Sequence, residues 1–141
     1  AISLTNTIME MDISGNITNE NEKYLDYFGG SRERYINKNF SEFVDESQQT
    51  PEEFQEFWDD LSTGKPKKRI IKITKGYKHI WLSESFSPIF DVEGEPVKIL
   101  CIGTDITESK KQEMRMEKME EQLKKELAEA REEIKKLKEK K

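Results

Sequence analysis

The chain has a single cysteine, Cys101, and a single histidine, His79. One cysteine excludes an internal disulfide and suits a reducing, cytoplasmic setting. Neither residue sits in a nucleophile pair or at metal-ligand spacing, and no glycine loop of the phosphate-cradling kind is present. No catalytic residue and no metal ligand is therefore assigned, and the chain reads as non-enzymatic. No apolar run approaches the ~20 residues that span a bilayer, and no signal peptide is visible, so no membrane contact is expected. Glycine and proline vanish after residue 107, where 12 basic and 10 acidic residues crowd the remainder. That crowding explains an average of 33% hydrophobic and 38% charged residues, which otherwise looks too polar for a core. The first 107 of the 141 residues hold 12 basic and 19 acidic side chains, a net of −7. Such an acidic module argues against nucleic acid as a partner. The sequence opens without Met and stops mid-pattern at Lys141, as expected of a piece of a larger protein.

What is present divides at Gly103-Thr104-Asp105-Ile106-Thr107, giving expected domains of 1–107 and 108–141. Residues 7–18 read as a hairpin turning at Ser14-Gly15-Asn16. Asn19 or Asn21 can cap a short helix burying Tyr24, Leu25 and Phe28, ended by Gly29-Gly30. Short helical turns follow between 31 and 49. The clearest helix is 51–62: Thr50 caps, Pro51 opens, Glu53 completes a capping box, and Phe54, Phe57, Trp58 and Leu61 share one face. Three strands come next, 67–74, 77–90 and 96–104, separated by turns at Lys75-Gly76 and at 91–95. A hairpin, short helices and a three-strand meander make an α+β domain with helices on one face of an antiparallel sheet.

The order and wording together resemble a PAS domain, the small sensory module of bacterial signalling proteins. Matching residues are Asp12 to Thr18, Asn21 with Tyr27-Phe28-Gly29, Phe54 to Trp58 with Leu61 and Gly64-Lys65, Ile80-Trp81-Leu82, Ser87-Pro88-Ile89, Gly94-Glu95-Pro96 and Asp105-Ile106-Thr107. The resemblance covers about residues 5–107. The Trp81-to-Pro88 wording resembles PAS modules of chemotaxis receptors and is shared by sensor kinases of two-component systems and by cyclases. The resemblance implies a five-stranded antiparallel sheet in the order 2-1-5-4-3, short helices over one face, and a long C-terminal helix. It also implies a pocket for a small ligand, haem or flavin, a homodimer, and a signal leaving through the Asp105-Ile106-Thr107 joint to an effector in the same chain.

Period-2 geometry places Ile80, Leu82, Glu84 and Phe86 on one strand face and Trp81, Ser83, Ser85 and Ser87 on the other. By similarity to PAS strands the Leu82 set faces the pocket, joined by Ile99, Cys101 and Gly103 from the last strand and by Phe28, Phe40, Phe43 and Trp58 from the helical side. Glu84 is the odd member: a carboxylate aimed at an apolar interior serves either as a polar anchor for a ligand or in a structural hydrogen bond. Haem-binding relatives carry their iron-ligating His on the helix before the three strands, where this chain has none. Light-sensing relatives need a helical Cys near the flavin, whereas Cys101 lies on the last strand. No cofactor is therefore expected, although the pocket leaves room for a non-covalent flavin. Trp81, Leu100 and Ile102 point outward as an apolar patch suited to a partner subunit.

The tail reads as one helix of ~50 Å at ~1.5 Å per residue. Met116, Met119, Leu123, Leu127, Ala130, Ile134 and Leu137 recur as a heptad seam with one four-residue insertion between Leu123 and Leu127, a stutter. A seam this regular does not stay dry on a lone helix, so a parallel two-stranded coiled coil is expected. The functional expectation is a sensor that passes a signal from its sheet through the joint to this coil. The competing one is a passive dimerisation spacer with a collapsed pocket.

Overall fold

The computed structural model describes residues 5–140; residues 1–4 and 141, which the expected domain spans included, lie outside the described residues. The chain divides into two compact units after Ile106.

The first unit is built on β1 (Thr7–Asp12), β2 (Ile17–Glu20), β3 (Lys67–Lys75), β4 (Lys78–Phe90) and β5 (Pro96–Asp105). They form one antiparallel sheet in the order β2-β1-β5-β4-β3, as the resemblance implies. Between β2 and β3 come α1 (Glu22–Phe28), two short 3-10 turns (Arg32–Arg34 and Phe40–Phe43) and α2 (Pro51–Ser62). The second unit is α3 (Thr107–Glu139).

Local chemistry sets these elements. Asp12 closes the first hairpin by accepting from the amides of Ser14 and Asn16. Gly15 sits there at φ 91°, and a Cβ on it would press on the Trp58 indole. Asn21 caps α1: its side chain accepts from Tyr24 N and Ile8 N and donates to Asn6 O, fastening the helix to β1. Thr50 and Glu53 form the capping box of α2, with Pro51 at the first helical position. Alternation along the central strands then chooses the inner face: Met9 and Met11, Leu82, Glu84 and Phe86, and Ile99, Cys101 and Gly103 are all buried. Phe57 and Leu61 of α2 complete the core from above.

Gly103 is required by close approach. A Cβ on it would overlap the hydroxyl of Thr7, the opposite residue on β1, which is itself buried. Gly103→Ala is expected to lower stability by about 1–3 kcal/mol, and Thr7→Ala in the same chain to recover most of that loss. Urea denaturation of the two variants checks it; no recovery in the double variant would move the strain elsewhere.

Glu20 ends β2 with its carboxylate fully buried and neither oxygen hydrogen-bonded among the described residues. Among the described residues its one ion pair, to Arg32 Nε, is long at 3.7 Å. Burial pushes this carboxyl above its ordinary range, and Arg32 offsets that only in part. A carboxyl raised in the folded state destabilises above its folded pKa, and the penalty fades as pH falls through that pKa. Glu20→Gln is therefore expected to gain about 1 kcal/mol at neutral pH. The gain should vanish in acid, toward the ordinary value of 4.5. Stability curves at several pH values check it, and a gain that does not change with pH would contradict it.

Candidate functional site

A cleft of about 540 Å³ opens between the helical segment and the edge strand β3. Its aromatic wall comes from Tyr24 and Phe28 of α1, then Tyr35, Phe40 and Phe43 from the 3-10 region. These rings hold one another in place. Tyr24 stacks on Phe28 at 4.4 Å and meets Tyr35 edge-on at 5.3 Å, while Tyr35 lies 5.0 Å from Phe43. Ile71 and Ile73 line the β3 side, with Arg34, Glu42, Asp45, Gln48, Gln49 and Arg69 around the polar part.

Segment 45–49 is strapped to the edge of β3 by two glutamines. Gln48 donates its amide to Lys72 O at 2.7 Å and accepts from Lys72 N at 2.6 Å, which satisfies both edge groups of that residue. Gln49 accepts from Arg69 Nη1 at 3.0 Å.

Arg69 is the centre of the polar layer below. Its Nε donates to Glu84 Oε1 at 2.6 Å across the β3–β4 ladder, where the two residues are register partners. Its guanidinium also lies over the rings of Phe40 and Phe86, 5.2 and 5.3 Å from their centroids. The other oxygen of Glu84 accepts from the Cys101 thiol at 3.7 Å. Burial, reinforced by Glu84, pushes that thiol well up, so Cys101 stays a neutral donor rather than a nucleophile. Burial likewise pushes the Tyr24 hydroxyl upward, with Glu84 and Cys101 adding to the effect.

These placements redistribute the sequence expectations. Phe28, Phe40 and Phe43 line the cleft. Leu82, Glu84, Phe86, Ile99, Cys101 and Gly103 sit beneath it as buried core. Trp58 lies away from the cleft: it donates Nε1 to Ile13 O at 3.1 Å and covers the β1–β2 turn. Glu84 does not stand alone in an apolar interior, because Arg69 answers it. Arg69, Gln48, Gln49, Tyr24 and Tyr35 were missed. Arg69 was within reach, since it shares strand parity with Ile71 and Ile73. His79 is exposed on β4 beside Thr74 and does not line the cleft, so a haem iron would find no imidazole among the described lining residues. No cluster of three metal-ligating side chains occurs among the described residues.

The joint is tied from two sides within the first unit. Tyr27 of α1 donates its hydroxyl to Asp105 Oδ2 at 2.9 Å. The amide of Ile106 donates to Trp81 O on β4 at 2.9 Å. Partial burial and then the bond to Asp105 raise the Tyr27 hydroxyl pKa, which keeps it the donor. Thr107 begins α3. On the outer sheet face Trp81, Leu100 and Ile102 are half-buried, with Lys72 Nζ 5.6 Å above the Trp81 ring.

A family model described as PAS domain matches residues 5–108. The biofilm dispersion protein BdlA of Pseudomonas aeruginosa is 29% identical over 110 residues; the match covers 77% of this chain and 26% of that protein, so the chain spans about a quarter of its relative. The PAS domain of BvgS from Bordetella pertussis superposes with a TM-score of 0.61 at 22% identity, covering 84% of this chain and 89% of that one. An RNA-binding light-oxygen-voltage receptor superposes at 0.68 with 15% identity, over 84% of this chain and 35% of that one. At these identities the two structures speak for the fold alone. No helix among the described residues is long and apolar enough to cross a membrane.

Proposed function

Because the chain belongs to the PAS domain family, we propose that it is a cytoplasmic sensory module that dimerises and relays a signal to an effector domain of its parent. The signal starts at the aromatic cleft, where a small molecule with a flat apolar body fits the ring-lined wall. It leaves through Asp105, Ile106 and Thr107 into α3. The effector belongs to a histidine kinase, a chemotaxis receptor or a cyclase. One observation carries this reading: α1 presents Tyr24 and Phe28 to the cleft and Tyr27 to Asp105. A seven-residue helix is too short to bend between those points, so a shift of its cleft-side rings moves the Asp105 tie as well.

In the parent protein, Tyr27→Phe and Asp105→Ala are expected to leave the fold intact and flatten the output response. The hydrogen bond they remove is partly exposed and contributes only about 1 kcal/mol to stability. An unchanged dose-response in both variants would remove the joint from the mechanism.

A passive dimerisation spacer is the second reading. It is favoured by the tight packing of Phe86, whose ring meets Phe57 at 4.9 Å and Phe40 at 5.7 Å and leaves the layer under the cleft filled. An absorbance spectrum and a native mass spectrum of the purified protein separate the two, since a spacer carries no bound mass.

A further inference from the structure

The two edges of the sheet are finished differently. On β2, Ile17 has both backbone groups taken: its amide donates to Lys38 O at 2.8 Å, and its carbonyl accepts from Asn37 N at 2.9 Å. On β3 the Gln48 side chain closes Lys72 in the same way. Because Gln48 takes both groups of Lys72, the Lys72–Trp81 pair has no mutual backbone bonds, and Trp81 O turns the other way to accept from Ile106 N. Antiparallel pairing alternates, so Lys68 and Ile70 also point their N–H and C=O groups away from β4. Among the described residues nothing bonds to those four groups.

A groove of about 370 Å³ follows this stretch, with Lys68, Arg69 and Ile70 on the β3 side and Glu53, Glu56 and Phe57 on the α2 side. Ile70 is 51% exposed. Charge indicates the occupant. Seven of the 12 cations of residues 1–107 fall between Leu61 and Ser83, and no acid does. Asp60 holds Lys67 and Glu84 holds Arg69, whereas Lys68 is exposed and has no ion pair among the described residues. Lysines on an open edge deter a second strand of their own kind. Two β3 strands side by side would set Lys67, Lys68 and Arg69 against the same three residues. The same charges attract an acidic strand.

We propose that the edge of β3 at Lys68 to Ile70 docks an extended acidic segment of a partner protein, which joins the sheet as a further strand. The four open backbone groups bind its main chain. One of its acidic side chains lies beside Lys68, and an apolar one two residues away lies beside Ile70 on the same face. The intervening side chain faces the groove, against Phe57. This goes beyond the sensory reading and does not rest on it.

The test is a fluorescence-anisotropy titration of the whole chain with a labelled peptide of alternating glutamate and valine. Binding should saturate, and a lysine–valine peptide and an oligouridylate should not bind. Ile70→Pro removes one outward N–H and no ladder bond, which an edge strand tolerates, and should weaken binding at least about tenfold. Lys68→Glu should weaken it by a similar factor and reduce its dependence on salt, while Lys68→Arg should bind as the parent does. Hydrogen exchange at the Lys68 and Ile70 amides should slow in the complex, while the ladder amides of Arg69 and Ile71 keep their rates. No saturable binding of the glutamate–valine peptide, equal binding of the lysine–valine peptide, or preference for the oligouridylate overturns the proposal. So does full affinity in both Ile70→Pro and Lys68→Glu. Self-association of the parent that Ile70→Pro abolishes would give the edge to a second copy and overturn the acidic partner.

Discussion

Arg69→Ala is expected to cost the domain about 3–5 kcal/mol, because it strands the Glu84 carboxylate in the core without its partner. Glu84 is 1% exposed and Arg69 only 15%, so water cannot substitute for the lost guanidinium. The cation–π contacts of that guanidinium with Phe40 and Phe86 are lost with it. For a domain of about 100 residues the midpoint of thermal unfolding should fall by roughly 15 °C or more. The companion double variant Arg69→Met with Glu84→Leu should be far milder, since a buried ion pair is often replaceable by apolar groups of similar volume. If Arg69→Ala matched the double variant, the pair would contribute nothing beyond packing.

Phe86→Ala should be comparably severe, at about 3–5 kcal/mol. Phe86 is fully buried and packs edge-on against both Phe57 and Phe40. Removing the ring leaves a void beneath the cleft, lined by Phe40, Phe57 and the Arg69–Glu84 pair. If Phe86 were a ligand-facing wall, alanine would enlarge the pocket at little cost to the apo protein. A loss below about 1.5 kcal/mol in chemical denaturation would therefore return it to the pocket.

The fold was legible because its local signals agree. The Thr50-Pro51-Glu53 cap, the Asn21 cap and the apolar alternation of β4 and β5 each name one element, and the order of those elements names the topology. The site was only half legible, and the reason is register. Reading the β3–β4 turn as Lys75-Gly76 sets Thr74 opposite Tyr77, and hence Lys67 opposite Glu84. The observed turn is Gly76-Tyr77, with Lys75 opposite Lys78. A one-residue shift at the turn moves every cross-strand partner by two, and so exchanges Lys67 for Arg69 while keeping the same face. Trp58 was misplaced for a different reason. Helical periodicity gives α2 one apolar stripe, but Trp58 lies at its border, where the carbonyl of Ile13 and the absent side chain of Gly15 draw it over the hairpin. Gln48 and Gln49 carry no pattern at all, because a side-chain amide that completes a strand edge depends on a loop whose path the sequence does not declare.

That α1 couples the cleft to the joint is tested most directly by amide hydrogen exchange at residues 105–107. Ile73→Trp, which crowds the cleft from β3, stands in for an occupant. Exchange at Ile106, whose amide is held by Trp81 O, should change when the cleft is crowded, and Tyr27→Phe should abolish that change. Exchange at Ile106 that ignores the crowded cleft, or that responds equally without the Tyr27 hydroxyl, would contradict the coupling.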